Sequence, residues 1–392
     1  MNKLVPKLRF PTPLMPYQRF RFGDLVSIKS NKFNPVTESF LYPCIELEHI
    51  SQGTGILLGS VASDKVASQK NKFGAGDILF SKLRPYLKKY AMPTFEGICS
   101  SEIWVMKPNS DLERSYLYQY IQTDKFIYEA NKSSGSKMPR SDWGVVSELN
   151  FYCPPKSEQQ KIANFLASVD TKISQLTEKH RLLKDYKKGV MQQIFSQQIH
   201  FKDNGGNAFP EWQVKTIGDV MTESRIKGSS GDVAKKLTVK IWGKGVIPKK
   251  DDSKGSENTQ YYKRKAGQFI YGKLDFLNCA FAIIPDELDG YESTLDLPSL
   301  DVSSLVNKFF VLEVVKQKRF YKRFGEIADG SRKAKRINVG VFQEMPITLP
   351  SKAEQNKIMA FLDSLDKKTN AVNEQIEQTK LFKKGLLQQM FV

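Results

Sequence analysis

Most side chains in this sequence that could do chemistry are cationic. Residues 65–90 carry seven Lys or Arg against one acid, including Lys82, Arg84, Lys88 and Lys89, with Tyr86 and Tyr90 among them. Residues 235–273 carry eleven against three, including Lys263, Arg264 and Lys273, interleaved with Trp242, Tyr261 and Tyr262. Two smaller groups each follow a Gly-Ser pair: Lys137 and Arg140, then Arg332, Lys333, Lys335 and Arg336. Such cations neutralise phosphates and give salt-dependent affinity, and an arginine can also bridge O6 and N7 of guanine in the major groove. Any one of these lysines reads first as a solvated surface residue; the clusters, taken as sets, point to a polyanion. The whole chain agrees, with 60 Lys and Arg against 42 Asp and Glu and a formal charge of +18. Nucleic acid is the first partner such a balance suggests, and an anionic membrane surface the second.

Patterns for catalysis are missing. There is no Gly-x-x-x-x-Gly-Lys-Ser/Thr, since Gly272-Lys273 is followed by Leu274. Gly53-x-Gly55 and Gly74-x-Gly76 lack the third glycine of a dinucleotide loop and read as turns. No Asn/Asp-Pro-Pro-aromatic tetrad occurs, and Pro285-Asp286 has no Glu/Asp-x-Lys nearby to suggest a nuclease. His49, His180 and His200 have no Ser, Cys or carboxylate arrangement around them. The four cysteines (Cys44, Cys99, Cys153, Cys279) are widely spaced, so neither a metal site nor a disulfide framework is expected. No apolar run approaches the roughly 20 residues that cross a bilayer, and the N-terminus has no signal-peptide core. The expectation is a cytoplasmic, non-catalytic chain that binds no metal or cofactor and no membrane.

The elements that must position the basic clusters are written twice. Residues 154–196 and 350–392 align at an offset of 196 without a gap, with 19 of 43 positions identical. Apolar residues step by four and three along both copies, an average of about 3.5 that marks a coiled-coil seam. The first seam holds Ile162, Phe165, Leu166, Val169, Ile173, Leu176, Leu183 and Val190, with His180 and Lys187 at two further seam positions. The second holds Ile358, Phe361, Leu362, Leu365, Val372, Ile376 and Leu386, and Thr369 and Thr379 make it more polar. Ser157-x-x-Gln160 and Ser351-x-x-Glu354 read as capping boxes for helices of about 40 residues, roughly 60 Å long. Gly189 and Gly385, inside both helices, suggest close approach of another backbone, a bend, or an inherited tolerance.

The duplication reaches further. Ala75-Gly-Asp-Ile-Leu-Phe-Ser-Lys-Leu83 is echoed by Ala266-Gly-Gln-Phe-Ile-Tyr-Gly-Lys-Leu274, Gly23-Asp24 by Gly218-Asp219, and the tract ending at Arg140 by the tract ending at Arg336. Short apolar runs at 41–47, 77–81, 97–106, 268–271 and 279–284 suggest strands, and 111–130 and 302–325 have helical spacing. The expected fold class is α+β or α/β: two globular domains separated by two long antiparallel coiled-coil helices, with an internal pseudo-two-fold. The expected boundaries are an N-terminal segment 1–19, a first domain 20–150, a helix 151–199, a linker 200–211, a second domain 212–346 and a helix 347–392.

The run PPKSEQQKIANFLASVDTKI and its echo PSKAEQNKIMAFLDSLDKKT resemble the repeated helical regions of Type I restriction-modification specificity subunits. KLRFPTP, GDLVSI, GDILFSKLRP and the Gly-Ser tract before each helix are similar to that family too, over essentially the whole chain. The resemblance implies two target-recognition domains, each reading one half of a split double-stranded DNA sequence. It also implies that the helices set the spacer and dock two modification (methyltransferase) subunits, to which restriction subunits add. AdoMet, ATP and Mg2+ then belong to those partners. Two other readings stay open from the residues: a scaffold binding RNA or acidic proteins, and the specificity subunit of a related methyltransferase-nuclease with a bipartite site.

Overall fold

The structure is a computed structural model that describes residues 6–11, 16–132, 138–250, 256–326 and 336–391. The chain divides into two compact units, Met1–His180 with Ala371–Val392, and Arg181–Asn370. The division falls inside both long helices, Lys156–Phe195 and Lys352–Met390, so each unit owns part of each.

Each unit is built on the same antiparallel four-stranded sheet. In the first unit the order is Val26–Ser27, Ile103–Pro108, Ile78–Ser81, Tyr90–Ala91. In the second it is Met221–Ser224, Ser299–Val302, Phe269–Tyr271, Phe281–Ile283. The strand Ile78–Ser81 is apolar at consecutive positions because both of its faces are covered. Ile78 and Phe80 enter the core shared with the long helices, while Leu79 on the other face joins Ile45, Ile50 and Val105. Phe269 and Tyr271 are divided from Ile270 in the same way. Both also have an equivalent two-stranded pair, Gln18–Arg21 with Asn150–Cys153 and Gln213–Thr216 with Pro346–Leu349. Beyond these sheets the units differ. The first adds a five-stranded sheet, and the second a three-stranded and a two-stranded one.

The expected strands are all present in shortened form, at Pro43–Ile45, Ile78–Ser81, Gly97–Cys99 with Ile103–Pro108, Phe269–Tyr271 and Phe281–Ile283. The helical stretch 111–130 is two helices, Arg114–Tyr120 and Asp124–Ala130, because Thr123 caps the second by accepting from the Phe126 N–H. Its counterpart is Lys308–Val315 and Lys318–Gly325.

Within each unit the early part of one long helix packs on the late part of the other. Ile162, Leu166 and Val169 share a core with Leu386, Leu387 and Met390 in the first unit; Ile358 and Leu362 share one with Val190 and Ile194 in the second. A lysine and an aspartate cross each pair. Lys383 Nζ lies 2.6 Å from Asp170 Oδ1, and Lys187 Nζ 2.6 Å from Asp366 Oδ1. Lys383 also donates to Gln122 Oε1 (2.6 Å). Burial holds its pKa below the usual lysine value against the pull of Asp170.

The repeated Glu-Gln dipeptide joins helix to domain. Gln159 Oε1 accepts from the Glu113 N–H (2.7 Å), at the start of the helix Arg114–Tyr120, and Gln355 Oε1 accepts from the Asn307 N–H (2.8 Å). Both side chains also donate to a proline carbonyl five residues back. The segments before each domain match as well: the Leu8 N–H donates to Gln389 O and the Ile199 N–H to Gln193 O.

Two helix-end expectations need correction. The first helix starts at Lys156, so Ser157 lies inside it and does not cap it. Ser351 does cap the second, accepting from the Glu354 N–H, but the Glu354 carboxylate turns inward. A Cβ on Gly189 or Gly385 meets nothing within 4 Å, so close approach of a backbone explains neither glycine.

The glutamates of the two dipeptides differ in partner. Arg9 donates from Nε and Nη2 to the Glu158 carboxylate, both at 2.7 Å, and Tyr17 adds a third bond. Glu354 is equally buried, but its Oε2 has no hydrogen-bond partner among the described residues. Burial raises its pKa above the ordinary 4.5, against the opposing pull of Trp212, His200 and Phe201. A raised folded value favours the protonated form, so this stability is complete below the unfolded pKa and lost as pH rises through the folded one. Glu354→Gln, neutral at every pH, is therefore expected to gain stability relative to the parent as pH rises from 4.5 to 7. Glu158→Gln should cost about 2 kcal/mol at pH 7, because it removes the charged acceptor that Arg9 and Tyr17 both bond. Denaturant midpoints across that range check both.

Candidate nucleic-acid interface

The two echo motifs that carry cations come together in each unit. In the first, the Lys82 N–H donates to Glu102 O (3.0 Å), and the Ser141 N–H donates to Lys82 O (2.8 Å). In the second, the Lys273 N–H donates to Asp296 O (3.0 Å), and the Ile337 N–H donates to Lys273 O (3.2 Å). One lysine at the end of a central strand thus holds an acidic segment through its N–H and an arginine-bearing segment through its C=O. The side chains repeat the arrangement: Arg140 Nε donates to Glu102 Oε2 (3.0 Å), and Arg336 Nε is 3.6 Å from Asp296 Oδ1. Arg140, Arg336 and Asp296 are exposed, Glu102 half-buried. The acidic segment meets the lysine through strand register, Ile103 opposite Ser81 and Leu300 opposite Phe269. The turns Pro85–Leu87 and Phe276–Asn278, closed by Lys88 (φ 49°) and Cys279 (φ 54°) in the left-handed region, reverse the chain after each strand.

The other predicted contacts fall out unevenly. Arg84 is exposed beside this junction, its N–H donating to Pro139 O (2.8 Å). Lys82 is half-exposed, while Lys88 pairs with Asp124 (2.9 Å) and Lys89 donates to Leu47 O (2.5 Å), so those two brace the turn. Lys263 is exposed on the strand Gln260–Lys263. Partial burial lowers the pKa of Lys273, opposed by Asp296 and Glu223. Lys137, Arg332, Lys333 and Lys335 lie outside the described residues.

Arg264 is a correction. It is 0% exposed and serves as a structural centre of the second unit, not a surface cation. Its guanidinium donates to the Ser293 and Ser299 hydroxyls and to the carbonyls of Ser224, Ser293, Thr294 and Leu297. Burial pulls its pKa down to about 10, partly offset by Glu223 and Tyr262. One charge thereby satisfies several loop carbonyls that would otherwise be orphaned. The basic run Lys263-Arg264-Lys265 concealed this, since Arg264 follows the end of the strand Gln260–Lys263 and turns inward between two exposed lysines.

Along the helices, every predicted seam residue is buried or half-buried, Phe165, Ile173, Leu183 and Phe361 being the half-buried ones. Leu182 and Tyr186 in the second unit, and Leu381 and Phe382 in the first, remain exposed. Among the described residues there is no group of His, Cys, Asp and Glu able to hold a metal, and no helix long and apolar enough to cross a membrane. All four cysteines are buried, and burial raises their thiol pKa values, to about 11 for Cys44 and Cys279 and about 12 for Cys153.

The frame is doubled, with a Lys–Arg–acid junction in each copy. The chain belongs to the Type I restriction modification DNA specificity domain family, whose model matches residues 16–184 and 210–379. It is 31% identical over 170 residues to the specificity subunit of the Type I restriction enzyme EcoDI of Escherichia coli, covering 39% of this chain and 38% of that protein. It is 22% identical over 400 residues to the MjaVIII specificity subunit of Methanocaldococcus jannaschii, covering 94% and 90%. Its fold resembles a chain from a study of complex assembly and conformational transition in the type I R-M system (TM-score 0.61, 18% identity, 96% and 98% covered). It also resembles the HsdS subunit from Thermoanaerobacter tengcongensis (TM-score 0.52, 18% identity, 97% and 98% covered).

The interior position of Arg264 is testable. Arg264→Ala should destabilise the protein by about 3 kcal/mol, because it orphans several buried acceptors. Lys263→Ala should leave stability within about 0.5 kcal/mol. Thermal melts of the two variants separate a structural arginine from a surface one.

Proposed function

We propose that this chain is the DNA-specificity subunit of a Type I restriction-modification complex, a non-catalytic component that reads an asymmetric, two-part duplex target. One observation carries the reading: the same junction of lysine, arginine and acid stands at the end of the matching central strand in both units. Each unit is then a reader of one half-site. The central sheets and the junction agree while the outer sheets differ, so the surfaces around a common junction are not the same. Two unlike half-sites follow.

The long helices are read as an antiparallel coiled-coil pair related by an internal two-fold. Support comes from the cross-helix pairs Lys383–Asp170 and Lys187–Asp366, which sit at equivalent repeat positions. The helices also dock two modification subunits, to which restriction subunits add. The exposed Tyr186 and Phe382, which occupy the same repeat position, fit a face meant to be covered by such a partner. AdoMet, ATP and Mg2+ belong to those partners, and the complex works in the cytoplasm.

Methylation profiling of a host carrying this chain with its modification subunit tests the reading. Two short, dissimilar specified blocks separated by an unspecified gap are expected. A continuous or palindromic motif contradicts it.

A further inference from the structure

The acids at the two junctions stand in the wrong place for a simple phosphate grip. A carboxylate within ion-pair distance of an exposed arginine weakens the local attraction for a phosphodiester, and a surface meant only for backbone contact is better without it. Glu102 and Asp296 nevertheless hold equivalent positions, fixed by the same backbone bond to Lys82 and Lys273. Both acids take the arginine at Nε, the side edge of the guanidinium. Arg336 is exposed and has no second ion pair among the described residues, and Asp296 lies on its Nε side, so its terminal Nη1–Nη2 edge is left for another acceptor. A guanidinium needs a fixed direction to bridge two acceptors of a base, whereas a phosphate accepts a cation from a wide range of directions. Guanine O6 and N7 are neutral acceptors, so a nearby carboxylate penalises them far less than it penalises a phosphate.

We propose that Arg336 and Arg140 are base-reading residues, each contacting a guanine in its own half-site, and that Asp296 and Glu102 are the positioning residues that aim them. The assignment rests on the DNA-specificity reading above. It makes the acid a specificity device: it directs the arginine toward a base edge and lowers the affinity of the same surface for DNA of arbitrary sequence.

The test uses the full-length chain and duplexes selected by it from a randomised pool, with a scrambled duplex as reference at one salt concentration. Arg336→Lys should bind the scrambled duplex within about 2-fold of the parent while losing roughly 10-fold on the selected one. Asp296→Ala should lose the same preference, Asp296→Glu should keep it, and Arg336→Lys with Asp296→Ala should lose no more than either alone. Reselection with the single variants should relax one G·C position in one half of the motif, and Arg140→Lys or Glu102→Ala one position in the other half. Because these side chains are exposed or half-exposed, melting temperatures should not move, which separates aiming from folding. Equal losses on both duplexes, additive effects, or an unchanged motif overturn the assignment. A parent chain that selects no motif overturns the specificity reading itself, and this assignment with it.

Discussion

Everything in this molecule hangs on how two long helices keep register, and a lysine reaching an aspartate sets it. A seam of Leu, Ile and Val tolerates sliding by a heptad, because one apolar residue fills another's place at little cost. Lys383 and Asp170 do not tolerate it: a slip leaves a nearly buried ammonium without its counter-charge. The second unit places Lys187 against Asp366 at the same repeat positions, in a more exposed pair. Register in turn places Gln159 and Gln355, whose side chains carry the first backbone N–H groups of a domain helix in each unit. A side-chain amide satisfied on both sides is a stiff joint, and through it the helix orients the sheet on which the cations stand.

Much of this was legible in the sequence, because the duplication gave each signal two chances to appear. The seam spacing identified both helices, and the paired runs ending in Lys82 and Lys273 marked the central strands. What stayed hidden was partnership across long separations. Nothing local tells that the tract ending at Arg140 returns to Lys82, or that Glu102 waits there. That convergence is a property of the sheet, whose neighbours come from distant parts of the chain. Arg264 misled for a related reason. Composition counts charges without regard to which way each side chain turns, and the one facing inward became the anchor for surrounding loops. Ser157 misled because both helices start at the equivalent lysine, Lys156 and Lys352, and the cap position that Ser351 fills in the second copy is Pro155 in the first.

The halves also show what duplication leaves free to change. Central sheet order, the turn after each strand, the docking glutamine and the cross-helix pair agree in both units. The larger outer sheets do not, nor does the partner of the dipeptide glutamate, where Arg9 serves Glu158 and, among the described residues, no ion pair holds Glu354. The shared features fix positions; the divergent ones lie where a surface can vary without moving the frame. A net charge of +18 supplies general attraction to a polyanion but no discrimination. Discrimination has to come from side chains that are aimed, and aiming needs the frame.

The central claim is that one frame carries two interchangeable readers, and a chain with a duplicated reader tests it most directly. In such a chain residues 212–346 are replaced by residues 20–150 on the retained helices, and the bound sequences are selected from randomised duplexes. The account predicts a symmetric target in which the first half-site recurs as its inverted copy across a gap. An asymmetric target still containing the second half-site, or binding without sequence preference by a folded chimaera, would contradict it.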